Sequence, residues 1–113
     1  MNTEKINAYK KIVETLKEVN ALRTFDNAGT PERAELDKAA LLLEELSWSV
    51  ISEDLTRMLD AVSYKANELK DLSKKINEKY QRLKSISETI ERTADVIGVL
   101  VEIIAKAIAV GLI

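Results

Sequence analysis

The sequence predicts an all-α protein: an antiparallel helical bundle with one long C-terminal helix that carries a heptad seam. Two observations lead there. Every seventh residue from Leu55 to Ile104 is a large aliphatic (Leu55, Val62, Leu69, Ile76, Leu83, Ile90, Ile97 and Ile104), across a span with one Gly and no Pro. That is the pattern of a long helix that lays one stripe against a partner. The whole 113-residue chain holds only three Gly and one Pro, so turns are scarce and the elements must be few and long. With 46% apolar and 32% charged residues, it has material for one core, and its length suits a single domain covering residues 1–113.

A first helix is expected over about residues 3–23. Asn2 or Thr3 can cap it, and Ile6, Tyr9, Ile12, Val13, Leu16, Val19 and Leu22 recur at three- and four-residue steps between Lys and Glu, as an amphipathic helix requires. Thr24 to Thr30 gathers turn formers around Gly29 and should end it. Thr30, Pro31 and Glu32 then give a hydroxyl for an orphan N–H, a ring preset for the first helical position and an acid at the positive end of the helix dipole. A second helix over 31–51 carries Leu36, Ala39, Ala40, Leu43, Leu46 and Val50 on one stripe. Leu36, Leu43 and Val50 step by seven, yet Leu55 comes five later, so a break near Ser52 is expected, with Glu53 and Asp54 opening the next helix. Leu41 and Trp48 do keep step with Leu55, which would suit an unbroken rod instead.

The third helix is expected over 53–95, with a tail over 96–112 that continues it or bends at Gly98. Four residues after each seam aliphatic come Leu59, Ala66, Ser73, Tyr80, Ser87, Ala94, Val101 and Ile108, mostly small side chains that permit close helix approach. Met58, Leu72, Ile86 and Leu100 widen the apolar face beyond what a two-stranded coil needs, so a bundle fits better. Charge is segregated too: residues 32–60 hold eight acids and three bases, residues 65–84 seven bases and three acids. Pairing between the second helix and the basic part of the third, within one chain or across a dimer, is the expected use of these blocks.

Function is less legible. Net charge is −2, so no basic field draws the chain to nucleic acid. The Lys65 to Lys84 block, with Tyr80 as its one nearby aromatic, reads as a solvated or paired face, and no nucleic acid partner is expected. Histidine and cysteine are both absent, which removes disulfides, thiolate or imidazole metal sites and the usual nucleophile and base pairs. Adjacent acids such as Glu44 and Glu45, or Glu53 and Asp54, point about 100° apart on a helix and read as surface charge. No catalytic residue, cofactor site or metal site is expected, and the chain reads as a non-enzyme. Trp48, in an apolar stretch, is expected in the core or an oligomer interface.

The tail is the least ordinary stretch: residues 96–113 contain eleven Val, Leu or Ile and only Glu102 and Lys106 as charges. On an insertion scale the aliphatics favour the bilayer by about 3 to 7 kcal/mol and the two charges oppose it by about 5 to 7, a sum near zero. If the first two helices cover only the first half of the seam, then Leu83, Ile86, Ile90, Ile97, Leu100, Ile104 and Ile108 form an apolar face that needs a cover. The expectation is self-association as a dimer or higher oligomer, or a partner helix seated on this face. The alternative is a membrane-associated protein whose tail lies on or inserts in a bilayer, as in small lysis or pore accessory proteins. Met1 to Lys11 lacks the apolar run of a secretory signal, so a cytoplasmic location is expected, at a membrane if the tail binds one.

Overall fold

The computed structural model describes residues 2–25 and 28–113. Four α-helices follow one another: α1 (Asn2–Phe25), α2 (Pro31–Ile51), α3 (Leu59–Lys79) and α4 (Lys84–Ala109), with a 3-10 turn, Gln81–Leu83, leading into α4. Each packs against its two neighbours in a ring, α1 on α2, α2 on α3, α3 on α4 and α4 on α1. Glu45 meets Lys65 while Glu35 meets Lys75, which runs α2 and α3 in opposite directions, and Asn7 lies near Val99 while Leu22 lies near Ile86, which does the same for α1 and α4. The result is an up-down-up-down bundle 49 Å long and about 20 Å across, 22 by 19 Å. The all-α bundle with a long C-terminal helix is what the chain forms.

The start of α2 follows the sequence closely. Gly29 takes φ +88°, a left-handed conformation that costs glycine nothing. Thr30 then turns extended and its hydroxyl accepts the N–H of Arg33 at 3.2 Å. Asp26 and Asn27, part of the expected turn, lie outside the described residues. The end of α2 also falls where the phase shift put it, with Ser52 as the C-cap. The next helix does not begin there. Residues 52–58 make successive turns, with the Ser52 hydroxyl accepting the Asp54 N–H at 3.1 Å and Leu55 plugging the bundle end, and α3 starts only at Leu59.

The larger difference is the long helix itself. In place of one helix over 53–95, the backbone leaves α-geometry at Tyr80 (φ −131°, ψ 89°) and re-enters it after the 3-10 turn. The Leu83 N–H reaches the Tyr80 carbonyl at 2.9 Å. Ile76 and Leu83 keep their seven-residue spacing across this reversal, so the heptad count runs on although the helix does not. All eight seam aliphatics, Leu55 through Ile104, are buried, but they come from two antiparallel helices, α3 with Val62, Leu69 and Ile76 and α4 with Ile90, Ile97 and Ile104, and from the turns before each, which hold Leu55 and Leu83. Ala66, Ser73, Ser87 and Ala94 are buried between α3 and α4 as small residues at a close approach should be. The Ser73 and Ser87 hydroxyls donate to the Lys70 and Lys84 carbonyls, which satisfies them inside their own helices. Past Leu83, α4 runs straight through Gly98 to Ala109. There Gly111 (φ +78°) closes it, with the Leu112 N–H on the Ala107 carbonyl and the Gly111 N–H on that of Ile108, a Schellman cap.

The core is almost wholly aliphatic: Ile12, Val19, Leu36, Leu43, Leu46, Leu69, Ile76, Ile90 and Ile97 are fully buried. Each such side chain contributes about 1.5 to 3 kcal/mol by leaving water. Ile6, counted with the inner stripe of α1 from its spacing, is instead 53% exposed, because Ala8 rather than Ile6 faces the core at that level. One polar contact crosses the interior. Thr15 of α1 and Thr93 of α4, both fully buried, bring their hydroxyls to 2.7 Å. Thr93 donates its single proton to the Thr89 carbonyl at 2.9 Å, so Thr15 supplies the proton that joins the two. The charge blocks pair as their order implies: Glu45 with Lys65 and Glu35 with Lys75, each at 3.0 Å, and Glu32 with Arg82. At the α1–α2 turn, Asp37 accepts from Arg23 at 2.7 Å and Arg33 at 2.9 Å, and Arg33 also donates to the Arg23 carbonyl.

Two outcomes follow for stability. Thr93→Val strips the buried Thr15 hydroxyl of its acceptor and should cost about 1 to 3 kcal/mol in urea unfolding, whereas Thr93→Val with Thr15→Val, leaving neither hydroxyl buried, should lie closer to the parent protein than that single change. A double variant as unstable as the sum of the singles would show that the pair is not coupled. The second concerns acid. Hydrogen bonds from Arg33 and then Arg23 hold the Asp37 carboxyl below its ordinary value of 3.8. Its folded form is therefore the weaker proton binder, and its stabilisation is present above that value and lost as pH falls through the lower folded one. Asp37→Asn should lower the melting temperature at neutral pH and flatten its decline below about pH 4; parallel curves would refute the linkage.

Candidate interaction surface

Among the described residues no group of three or more carboxylates lies close enough to hold a metal ion. Glu44, Glu53 and Asp54 are exposed, and Glu45 is held by Lys65. The basic block is also largely committed. Lys65, Lys70, Lys75 and Arg82 each sit on a carboxylate, and Tyr80 packs against the core, which removes it as a stacking platform. Asp95, beside Lys70 at 2.8 Å, raises the pKa of that lysine.

The apolar face expected to need a second chain is covered from within. Leu83, Ile86, Ile90, Ile97, Leu100 and Ile104 are buried by the other helices of the same chain, and of the seven residues only Ile108, 42% exposed, faces solvent. The reason is the reversal at Tyr80, which turns α4 back along α3 and gives the second half of the seam an intramolecular partner. Among the described residues no helix is long and apolar enough to cross a membrane; the most apolar one, α4, spends its inner face on the bundle core.

What remains outside is a second stripe on α4. Val96, Val99, Ile103, Lys106 and Val110 follow one another at steps of three and four, the spacing of a coiled-coil seam. Val96, Val99, Ile103 and Val110 are all exposed, Val99 by 55%. The upper part of this stripe borders a groove of about 260 Å³ between α4 and α1, walled on the far side by Glu4 and Asn7. Towards the chain end Ile108, on the inner-seam side of α4, and Leu112 and Ile113, past its end, are also exposed. The spacing was visible in the sequence but was masked by the stronger inner heptad, since nearly every turn of the tail is aliphatic all round.

A second surface lies on the opposite side. α2 and α3 splay to leave a groove of about 540 Å³, floored by Leu42 and Leu72 and flanked by Leu41, Tyr64 and charged residues. Tyr64 is 67% exposed, and Trp48, seven residues beyond Leu41 on the same face of α2, is 73% exposed. Trp48 is thus not a core residue. Leu41 and Trp48 kept step with Leu55 by coincidence: α2 ends at Ser52, and the step continues through a turn rather than along a helix.

Gly98 sits beside Val99 in the wall between α3 and α4, and a Cβ placed there meets no heavy atom within 4 Å. Neither bend nor close approach requires glycine at this position. Gly98→Ala should therefore stabilise the bundle by about 0.5 to 1 kcal/mol, read as a raised urea midpoint with unchanged slope; a destabilised variant would overturn this. No protein-family model matches the chain, and neither a curated protein nor a solved structure matches it, so the functional argument rests on these surfaces.

Proposed function

We propose that this chain is a non-enzymatic helical interaction module that self-associates through the outer face of α4. The observation that carries the proposal is the second stripe, Val96, Val99, Ile103 and Val110, left exposed at seam spacing after the inner stripe has filled the core. A contiguous apolar face of this kind costs solubility unless something covers it, and a twofold copy offers an identical stripe. In an antiparallel pairing Val99 meets the second copy's Ile103. Lys106 lies over the second copy's Val96, its stem on the valine and its ammonium beside that copy's Asp95, the arrangement that lets a lysine cover apolar surface. The groove beside Asn7, with Ile6 nearby, widens the contact beyond a bare two-helix seam.

A second reading has its own support: Ile108, Val110, Leu112 and Ile113 are exposed together at the end of α4, a blunt apolar end suited to lying on a bilayer surface rather than spanning it.

Sedimentation velocity over micromolar to millimolar concentrations decides the first reading. The parent chain should run as a dimer at the upper end. Val99→Asp with Ile103→Asp should be monomeric with unchanged helicity, because both positions are outside the core. Ile90→Asp, by contrast, should lose its fold, since an unpaired charge at a fully buried site costs several kcal/mol. A parent chain that stays monomeric throughout, or a double variant that still dimerises, would sink the proposal. Vesicle flotation of a monomeric parent, lost on removing residues 110–113, would favour the bilayer reading.

A further inference from the structure

We infer that the groove between α2 and α3 is a docking site for a basic amphipathic helix, separate from the α4 face. Three features converge on it. The first is shape with apolar content: a trough of about 540 Å³ floored by Leu42 and Leu72, running along two antiparallel helices. A trough of this form receives the apolar edge of a third helix at positions i, i+3 or i+4, and i+7. The second is the exposed aromatics beside it, Tyr64 and Trp48, the side-chain types that anchor protein interfaces and that a bundle gains nothing by presenting to water.

The third feature is charge, and it selects the partner. The bases around the groove are already engaged: Lys38 and Lys75 hold Glu35 at 3.6 and 3.0 Å, and Lys65 holds Glu45 at 3.0 Å. On the α3 rim, Glu68 and Asp71 are exposed, and no base sits on them among the described residues. Four acids against three bases leave the groove lining net negative by one charge, with the two unpaired carboxylates together on the α3 rim. Within the wall, both lysines share one oxygen of the buried Glu35 carboxylate, and the other, Oε2, has no hydrogen-bond partner. An unsatisfied buried acceptor is costly, so the wall of the groove carries an uncompensated carboxylate oxygen as well as the rim acids. An acidic helix would meet Glu68 and Asp71 with nothing free to balance them; a helix with Lys or Arg flanking its apolar edge meets two open carboxylates. The trough floor from Glu35 to Glu45 covers about three turns at 1.5 Å per residue, so a partner of about four to five turns fills it.

The probe is a pair of synthetic amphipathic helices of about eighteen residues, identical in their leucine edge and differing only in flanking Lys or Glu. Trp48, the one tryptophan in the chain, reports cover of the adjacent face by a blue-shifted emission, and calorimetry gives the affinity. The basic peptide should bind, more weakly at higher salt, and its acidic twin should not. Glu68→Lys with Asp71→Lys, both on the exposed rim, should weaken the basic peptide by about tenfold or more and admit the acidic one. The same variant should keep the parent's circular dichroism and its α4-mediated association state. No binding of the basic peptide up to millimolar concentration, equal binding of the twins, or a preference unchanged by the charge reversal would each overturn the inference. Because Val99→Asp with Ile103→Asp leaves this groove untouched, that variant should bind the basic peptide as the parent does, which separates the two surfaces experimentally.

Discussion

The structure depends on covering one apolar seam that is too long for the chain to cover with a single straight helix. Eight aliphatics at heptad spacing demand partners, and the reversal at Tyr80–Leu83 supplies them by folding the seam onto itself. Once α4 lies antiparallel along α3, the small residues Ala66, Ser73, Ser87 and Ala94 let the two backbones approach. α1 and α2 then close the open side of that pair. The remaining contacts serve register. Thr15 and Thr93 fix α1 against α4 in the interior, where an offset would strand the Thr15 hydroxyl, while Glu45 with Lys65 and Glu35 with Lys75 set α2 against α3. A solvent-reached pair such as Glu45 with Lys65 adds little stability but disfavours the wrong alignment, and a shift of register would leave the buried Glu35 carboxylate without Lys75.

This arrangement changes where function must be sought. A helix with aliphatics on most of its faces can fill a core and still present a second stripe, and α4 does both. The inner stripe supplies stability and the outer one is available for association. α2 and α3 meet less tightly than α3 and α4, because larger side chains, Leu42 and Leu72 among them, stand between them where α3 and α4 have alanine and serine. The looser contact is what opens the trough on that side. Two surfaces of different chemistry result, one apolar with a lysine at one seam position, the other apolar with an acidic rim. Their separation on opposite sides of the bundle would let one chain join a copy of itself and a second partner at once.

The helical class, the Thr30–Pro31 start of α2, the end of α2 at Ser52 and the complementarity of its acids to the bases of α3 are all legible along the chain. These are local or nearly local matters: a cap needs its own neighbours, a phase shift is visible within two turns, and complementary charge blocks along antiparallel helices meet in order. The reversal at Tyr80 was not legible. It uses no Gly or Pro, and its length returns α4 to the heptad phase that α3 left, so Ile76 to Leu83 looks like one more heptad, about two turns, of the same helix. The free-energy gain that selects the reversal comes from seam residues far apart in the chain, Ile76 and Leu69 against Leu83, Ile90 and Ile97, and no local window contains it. For the same reason the outward placement of Trp48, the core position of Ala8 in preference to Ile6 and the division of the C-terminal aliphatics between core and surface emerge only from the packing of the four helices. Spacing shows which residues share a stripe; which stripe is covered depends on the other three helices.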